Sequence, residues 1–474
     1  MLGQKTLLGL LVYGLVGVGL YQSYGHYHPY YVPFVFLALV GLVAISVARP
    51  ETSALLPRGR LELLLATLVL AFSAMLAYEP LLRFASGPRW AVNTLLHVGE
   101  ATVVPLAVGT GWLWWKLRRG DADVLDRPAL AAVFGVAAVA LLFNQCLVSV
   151  ASPSPQIDVY RHSLVAVDFL LHGQDPYRGN YPELYGGISE TVLRHTYPYW
   201  PGSIVLFALA RAAFGEIRLA LVASQAVSAV ALYLLARRMG LPRVTRVLFP
   251  LAWLSFPAQY FVIEQAWVDT FLTTCVLVVT ASLRSRRWVV AALVAGLAAC
   301  VKQYGVVLAV AVPLWLWRTR SLREALEFAA VSAGAFLAVV VPFVVWDPKE
   351  FLFSTVQQVG RIEFRPDSFT LASYLFNEWD VSLSVTLLTA LSGLGGLLGL
   401  GLLLPRRLAG WGVFQVPLAL LASFTALFFL GRHAYCNYIH LLAFLVLLFV
   451  VGSLPDKSIE PGPAPTASAA APQA

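Results

Sequence analysis

The segment Asp158-Val159-Tyr160-Arg161-His162 places a carboxylate just after the apolar run 129–150 and at the start of a helical pattern. Ile157, Tyr160, Leu164, Val167 and Leu171 recur at steps of three and four, while Asp158, Arg161, His162, Asp168 and His172 fall on the other face. This is the pattern of a helix lying at a membrane surface with an ionisable side. An acidic residue at a helix start is favoured by the helix dipole and by an arginine one turn on. Fixed at a lipid boundary, such a carboxylate can take a proton from a hydroxyl. The competing role for Asp158 is that of a helix cap. Arg161 and His162, on the same side, are candidate substrate contacts.

Further ionisable residues stand at the edges of apolar runs. Glu264-Gln265-Ala266-Trp267-Val268-Asp269 is a turn between two runs, and Asp269 opens the second. A carboxylate at that depth is costly unless it meets a partner or a cavity, or caps the helix it starts. Lys302 lies between the runs 287–301 and 304–317, where it can pair with a carboxylate or a phosphate, or snorkel to the surface. Lys349, Arg361, Glu363, Arg365 and Asp367 fall in one late segment, and Arg432 and His433 precede the last run. The histidines concentrate in the same class of segment, but none has a metal-binding spacing such as HExxH, and no metal or other cofactor is expected.

These residues must be positioned by membrane helices. Of the 474 residues 59% are apolar and 12% charged, and the mean hydropathy is +0.74. An ordinary soluble domain is about one quarter charged, so a soluble enzyme and a disordered chain are both excluded. About fourteen apolar runs (12–14) are long enough to be candidate spans, giving an all-α integral membrane protein. The first, near the N-terminus, reads as a span and not as a removed signal.

The net charge of +8 sits in short basic clusters such as Arg237-Arg238, Arg284 to Arg287 and Arg318 to Arg323. That is the bias that orients membrane proteins, and no nucleic-acid partner is implied. It places both termini in the cytoplasm and the long segments 151–202 and 347–378 outside, where the chemistry is expected. The division reads as a four-helix extension over 1–128, a core with its outer loops over 129–454 and a disordered tail over 455–474. Cys146, Cys275, Cys300 and Cys436 are single and imply no disulfide framework.

With these features in order, the chain resembles the C-type glycosyltransferase superfamily (GT-C) of multi-pass membrane enzymes. Within it, the likeness is to bacterial polyprenyl-phosphate-mannose-dependent mannosyltransferases. The resemblance rests on Ile157-Asp158-Val159-Tyr160 after a span and on a surface helix closing in Phe169-Leu170-Leu171-His172-Gly173-Gln174-Asp175-Pro176-Tyr177. It also rests on the aromatic and proline segment Tyr197 to Pro201, the turn Gln265 to Asp269, the segment Ala298 to Lys302 and Asp367-Ser368-Phe369-Thr370-Leu371. It covers roughly 129–451, and the chain departs from it in its early helices, in Glu264 where a glycine is usual and in Gln303 where a proline is usual.

The resemblance implies that Asp158 is a general base. It further implies transfer of a sugar, mannose in the relatives, from a polyprenyl phosphate to a hydroxyl of a lipid or glycan acceptor, with inversion, at the outer face of the plasma (inner) membrane. Lys302, Arg361 and Arg365 would hold the phosphate, and Asp175, Tyr177, Glu264, Gln265, Asp269 and His433 would line the substrate site. The alternative from another class is a transporter or flippase using Asp269 and Lys302. The absence of an internal repeat and the ionisable residues gathered at outer ends weigh against it.

Overall fold

The computed structural model describes residues 4–48, 59–179, 181, 196–361 and 364–454, and the named elements within them are helices. The first five are α1 (Gln4–Ser23), α2 (Tyr31–Ala48), α3 (Arg60–Tyr78), α4 (Arg89–Arg118) and α5 (Pro128–Ala151). Two shorter helices, α6 (Asp158–Leu171) and α7 (Pro201–Phe214), precede α8 (Leu219–Arg238), α9 (Arg243–Leu254), α10 (Gln259–Glu264) and α11 (Asp269–Arg284). Then come α12 (Trp288–Val301), α13 (Val306–Thr319), α14 (Leu322–Trp346), α15 (Pro348–Leu352), α16 (Gln358–Arg361) and α17 (Leu371–Trp379). The chain closes with α18 (Val385–Leu400), α19 (Gln415–Phe429) and α20 (Cys436–Gly452).

Helix ends follow local chemistry. Ser321 caps α14 by accepting the Glu324 amide at 3.1 Å, and the spacing Ser321 to Glu324 is that of a capping box. Thr370 accepts the Ser373 amide at 3.1 Å and Ser384 the Leu387 amide at 3.2 Å, which fixes the starts of α17 and α18. Pro128 and Pro201 occupy first helical turns, where the missing N–H costs nothing.

Nine helices among the described residues are long and apolar enough to cross a membrane, so the fourteen apolar runs do not become fourteen full-length spans. The run 244–262 breaks into α9 and α10 around Pro257, because a proline supplies no N–H to continue the helix. Lys302 adopts φ −153°, ψ 150°, so 287–317 is two short helices and not one kinked helix. Helices of 14 residues such as α12 and α13 fall short of the roughly 20 that a full crossing requires.

The early helices do not stand apart. Helix α1 packs on α20, α2 on α19, α3 on α9 and α4 on α5. Tyr13 of α1 is fully buried and donates its hydroxyl to the Ala252 carbonyl of α9 at 2.6 Å. At one end of the bundle Lys302 at the C-terminal end of α12 and Asn437 at the start of α20 meet Asp269 at the N-terminal end of α11, and the α3–α4 loop meets Glu264 at the end of α10.

Candidate active site

Asp158 is the first residue of α6. The cap position belongs to Ile157, and Asp158 Oδ1 accepts the Val159 amide at 2.8 Å. Its carboxylate is partly exposed and lies within electrostatic reach of the Arg365 guanidinium and of Tyr199.

Beyond Tyr199 lies Lys302, only 5% exposed. Its extended backbone turns the chain between α12 and α13 and carries the side chain inward. Its ammonium is 3.0 Å from Asp269 Oδ2 and 3.3 Å from Oδ1, and Asn437 of α20 donates to the same Oδ2 at 2.6 Å. Three tyrosine rings surround the ammonium: Tyr438 at 4.5 Å, Tyr304 at 5.0 Å and Tyr199 at 5.3 Å. Ring faces stabilise a desolvated cation at these separations. An ammonium has three protons and Asp269 takes two, so one is left for another acceptor. Gly305 permits the tight turn, since a Cβ there would meet the Ala298 carbonyl oxygen at 2.1 Å.

Cations continue toward the rim. Arg365 is exposed, is forked onto Asp367 through two contacts of 3.0 Å and lies over the Tyr435 ring at 5.8 Å. Arg432 donates to the Gly360 carbonyl at 3.0 Å, which ties the late loop to the start of α20. His433 packs on the Tyr438 ring with centroids 6.2 Å apart and lies within the field of both arginines. Burial first, and then the positive charges of Arg432, Lys302 and Arg365, pull its imidazole down to about 4, so it is neutral at pH 7. A carboxylate, a buried ammonium and a guanidinium around one locus form a set that can accept a proton and hold an anion.

Asp158, Asp269, Lys302, Arg365 and His433 therefore come together, while the other residues singled out from the sequence stand elsewhere. Arg161 reaches the Ser154 hydroxyl at 3.5 Å. His162 is buried and not on the water-facing side of α6, because its ring packs on Tyr181 with centroids 5.2 Å apart. Asp175 caps a turn by accepting the Tyr177 amide at 2.9 Å, and its carboxyl is pushed upward by burial. Tyr177 is buried and donates its hydroxyl to the Tyr199 carbonyl at 3.0 Å, so it supports a residue that faces the ammonium. Glu264 accepts the amides of Arg83 and Phe84, each at 2.8 Å. Gln265 accepts the Trp267 indole N–H at 3.1 Å, bracing a turn in which Ala266 takes φ 60°. Arg361 ends α16, and its side chain lies outside the described residues, as do Glu363 and His195.

Sequence reasoning did not single out Tyr199, Tyr304, Tyr438 and Asn437 as site residues. A tyrosine at the edge of an apolar run has the same signature whether it packs in the core or surrounds a cation. The one available signal was the nearness in sequence of Tyr304 to Lys302 and of Asn437 and Tyr438 to Arg432-His433; Tyr199 had none.

Comparison with known families decides the class. The family model for glycosyltransferase family 87 matches residues 196–434. The chain belongs to glycosyltransferase family 87. Family 87 is a GT-C-type family of multi-pass membrane glycosyltransferases, so this protein is a membrane glycosyltransferase. The family 87 segment takes in Tyr199, Asp269, Lys302, Arg365 and His433 and stops short of Asp158 and Asn437. No curated protein and no solved structure matches the chain.

Proposed function

We propose that the protein transfers a sugar, mannose by the resemblance, from a polyprenyl-phosphate donor to a hydroxyl of a lipid or glycan acceptor, inverting the anomeric centre. The observation that carries this reading is the placement of one partly exposed carboxylate, Asp158, within the field of Arg365 and beside the tyrosine cage of Lys302.

In this reading Asp158 takes the proton of the acceptor hydroxyl as its oxygen attacks the anomeric carbon. The bond from that carbon to the phosphate oxygen breaks, and the lipid phosphate departs as an anion that needs no proton from an acid. Lys302, through its third N–H, and Arg365 stabilise that charge. Attack from the side opposite the phosphate gives inversion. The basic clusters at the other ends of the helices support a reading in which this site faces the outer side of the plasma membrane.

The test is a transfer assay with the purified full chain, polyprenyl-phosphate mannose and its glucose counterpart, with the product's anomeric configuration read by NMR. A product inverted relative to the donor is expected. Retention of configuration, or transfer only from a sugar nucleotide, contradicts the reading.

A further inference from the structure

A second feature lies partly outside the segment matched by the family, which begins at residue 196. His26 and Tyr27 from the α1–α2 loop and Arg83 from the α3–α4 loop face Pro366 and Asp367 of the late loop and Asn377 of α17 across a cleft of about 490 Å³.

The walls are held firmly. Gly25, at φ 70°, lets the first loop seat against α20, since a Cβ would stand 2.2 Å from Cys436 Cβ and 2.9 Å from its Cα. The Tyr27 amide donates to the Asp367 carbonyl at 3.0 Å, and the Tyr27 hydroxyl donates to Glu378. The buried Glu264 fixes the backbone of Arg83 and Phe84, and the Arg83 guanidinium meets His26 Nε2 at 2.7 Å.

The chemistry of the lining is mixed. Arg83 supplies donors, and Asp367 supplies a carboxylate whose charge is offset by Arg365. Asn377 commits its NH₂ to the Pro366 and Ser373 carbonyls at 2.8 and 2.9 Å, which leaves its carbonyl oxygen as an acceptor. Tyr27 adds a ring. An anion would meet the Asp367 carboxylate, and a hydrocarbon would strand these polar groups. Neutral hydroxyls, which donate and accept alternately, match them. Through Asp367 the cleft joins Arg365 and Tyr435, and through Arg365 it joins Asp158.

We propose that this cleft is the subsite for the neutral sugar units of a glycan acceptor, built jointly by the early helices and the late loop. The proposal rests on the glycosyltransferase reading above, but its test is binding and not turnover.

The experiment is calorimetric titration of the purified full chain, in a detergent without sugar headgroups, with linear trisaccharides of mannose, glucose and galactose and with inorganic phosphate. At least one trisaccharide is expected to bind the wild-type protein. Arg83→Gln and Asn377→Ala, which change opposite walls, should each weaken it by about tenfold while the protein remains monodisperse. Binding of none of the three, binding that neither wall variant changes, or binding of phosphate alone would overturn the proposal. An error in the role of Asp158 would instead appear as undiminished transfer by Asp158→Asn and would leave this binding intact.

Discussion

Lys302 and Asp269 form an ion pair buried at the ends of α12 and α11, with Nζ 3.0 Å from Oδ2. Asp269 is fully buried and Lys302 nearly so, so each charge depends on the other. Removing one partner of such a pair leaves an uncompensated charge out of water.

Lys302→Met should therefore cost about 3–5 kcal/mol of stability, read as a fall in the thermal midpoint of the purified chain. The double variant Lys302→Met/Asp269→Leu should recover much of that loss. If single and double variants melt together, the two side chains are not coupled as described.

Arg218 makes a separate claim about stability. It is fully buried and donates to the carbonyls of Ser152 at 2.6 Å and Ser149 at 3.1 Å, and to both oxygens of Glu216 at 2.8 and 2.9 Å. It thereby pins the end of α5, just ahead of Asp158, to the start of α8. A lysine cannot reproduce this fork. Arg218→Lys should cost about 2–3 kcal/mol, seen as a lower melting midpoint, and an unchanged midpoint would argue against the fork.

His433 gives a pH dependence. Its folded value, about 4, lies below the ordinary value of 6.5, chiefly through burial and then through Arg432, Lys302 and Arg365. Between these values the unfolded chain binds a proton that the folded one does not, so stability is full above 6.5 and declines as pH falls toward 4. His433→Gln should flatten that decline in melts taken from pH 7 to pH 4. An identical decline in both proteins would assign it to other groups.

The parts legible in the sequence were those set by neighbours along the chain. The period of 157–171 and the Asp158 that opens it mark a helix start, and Asp158 indeed begins α6. Lys302 interrupting two apolar runs marks the break between α12 and α13. What was hidden depends on distant partners. Glu264 meets backbone amides of Arg83 and Phe84, and an amide carries no residue-type signal. His162 has the helical phase of a water-facing residue, yet Tyr181 covers it. Apolar composition also overstated the spans, because it records hydrophobicity without the breaks that divide 244–262 and 287–317 into short helices.

The most direct test is the rate of sugar transfer by Asp158→Asn in a preparation that melts like wild type. General-base catalysis contributes about 100- to 10,000-fold, so the variant should lose activity by that factor while keeping its fold. Transfer by this variant at the wild-type rate would contradict the central claim.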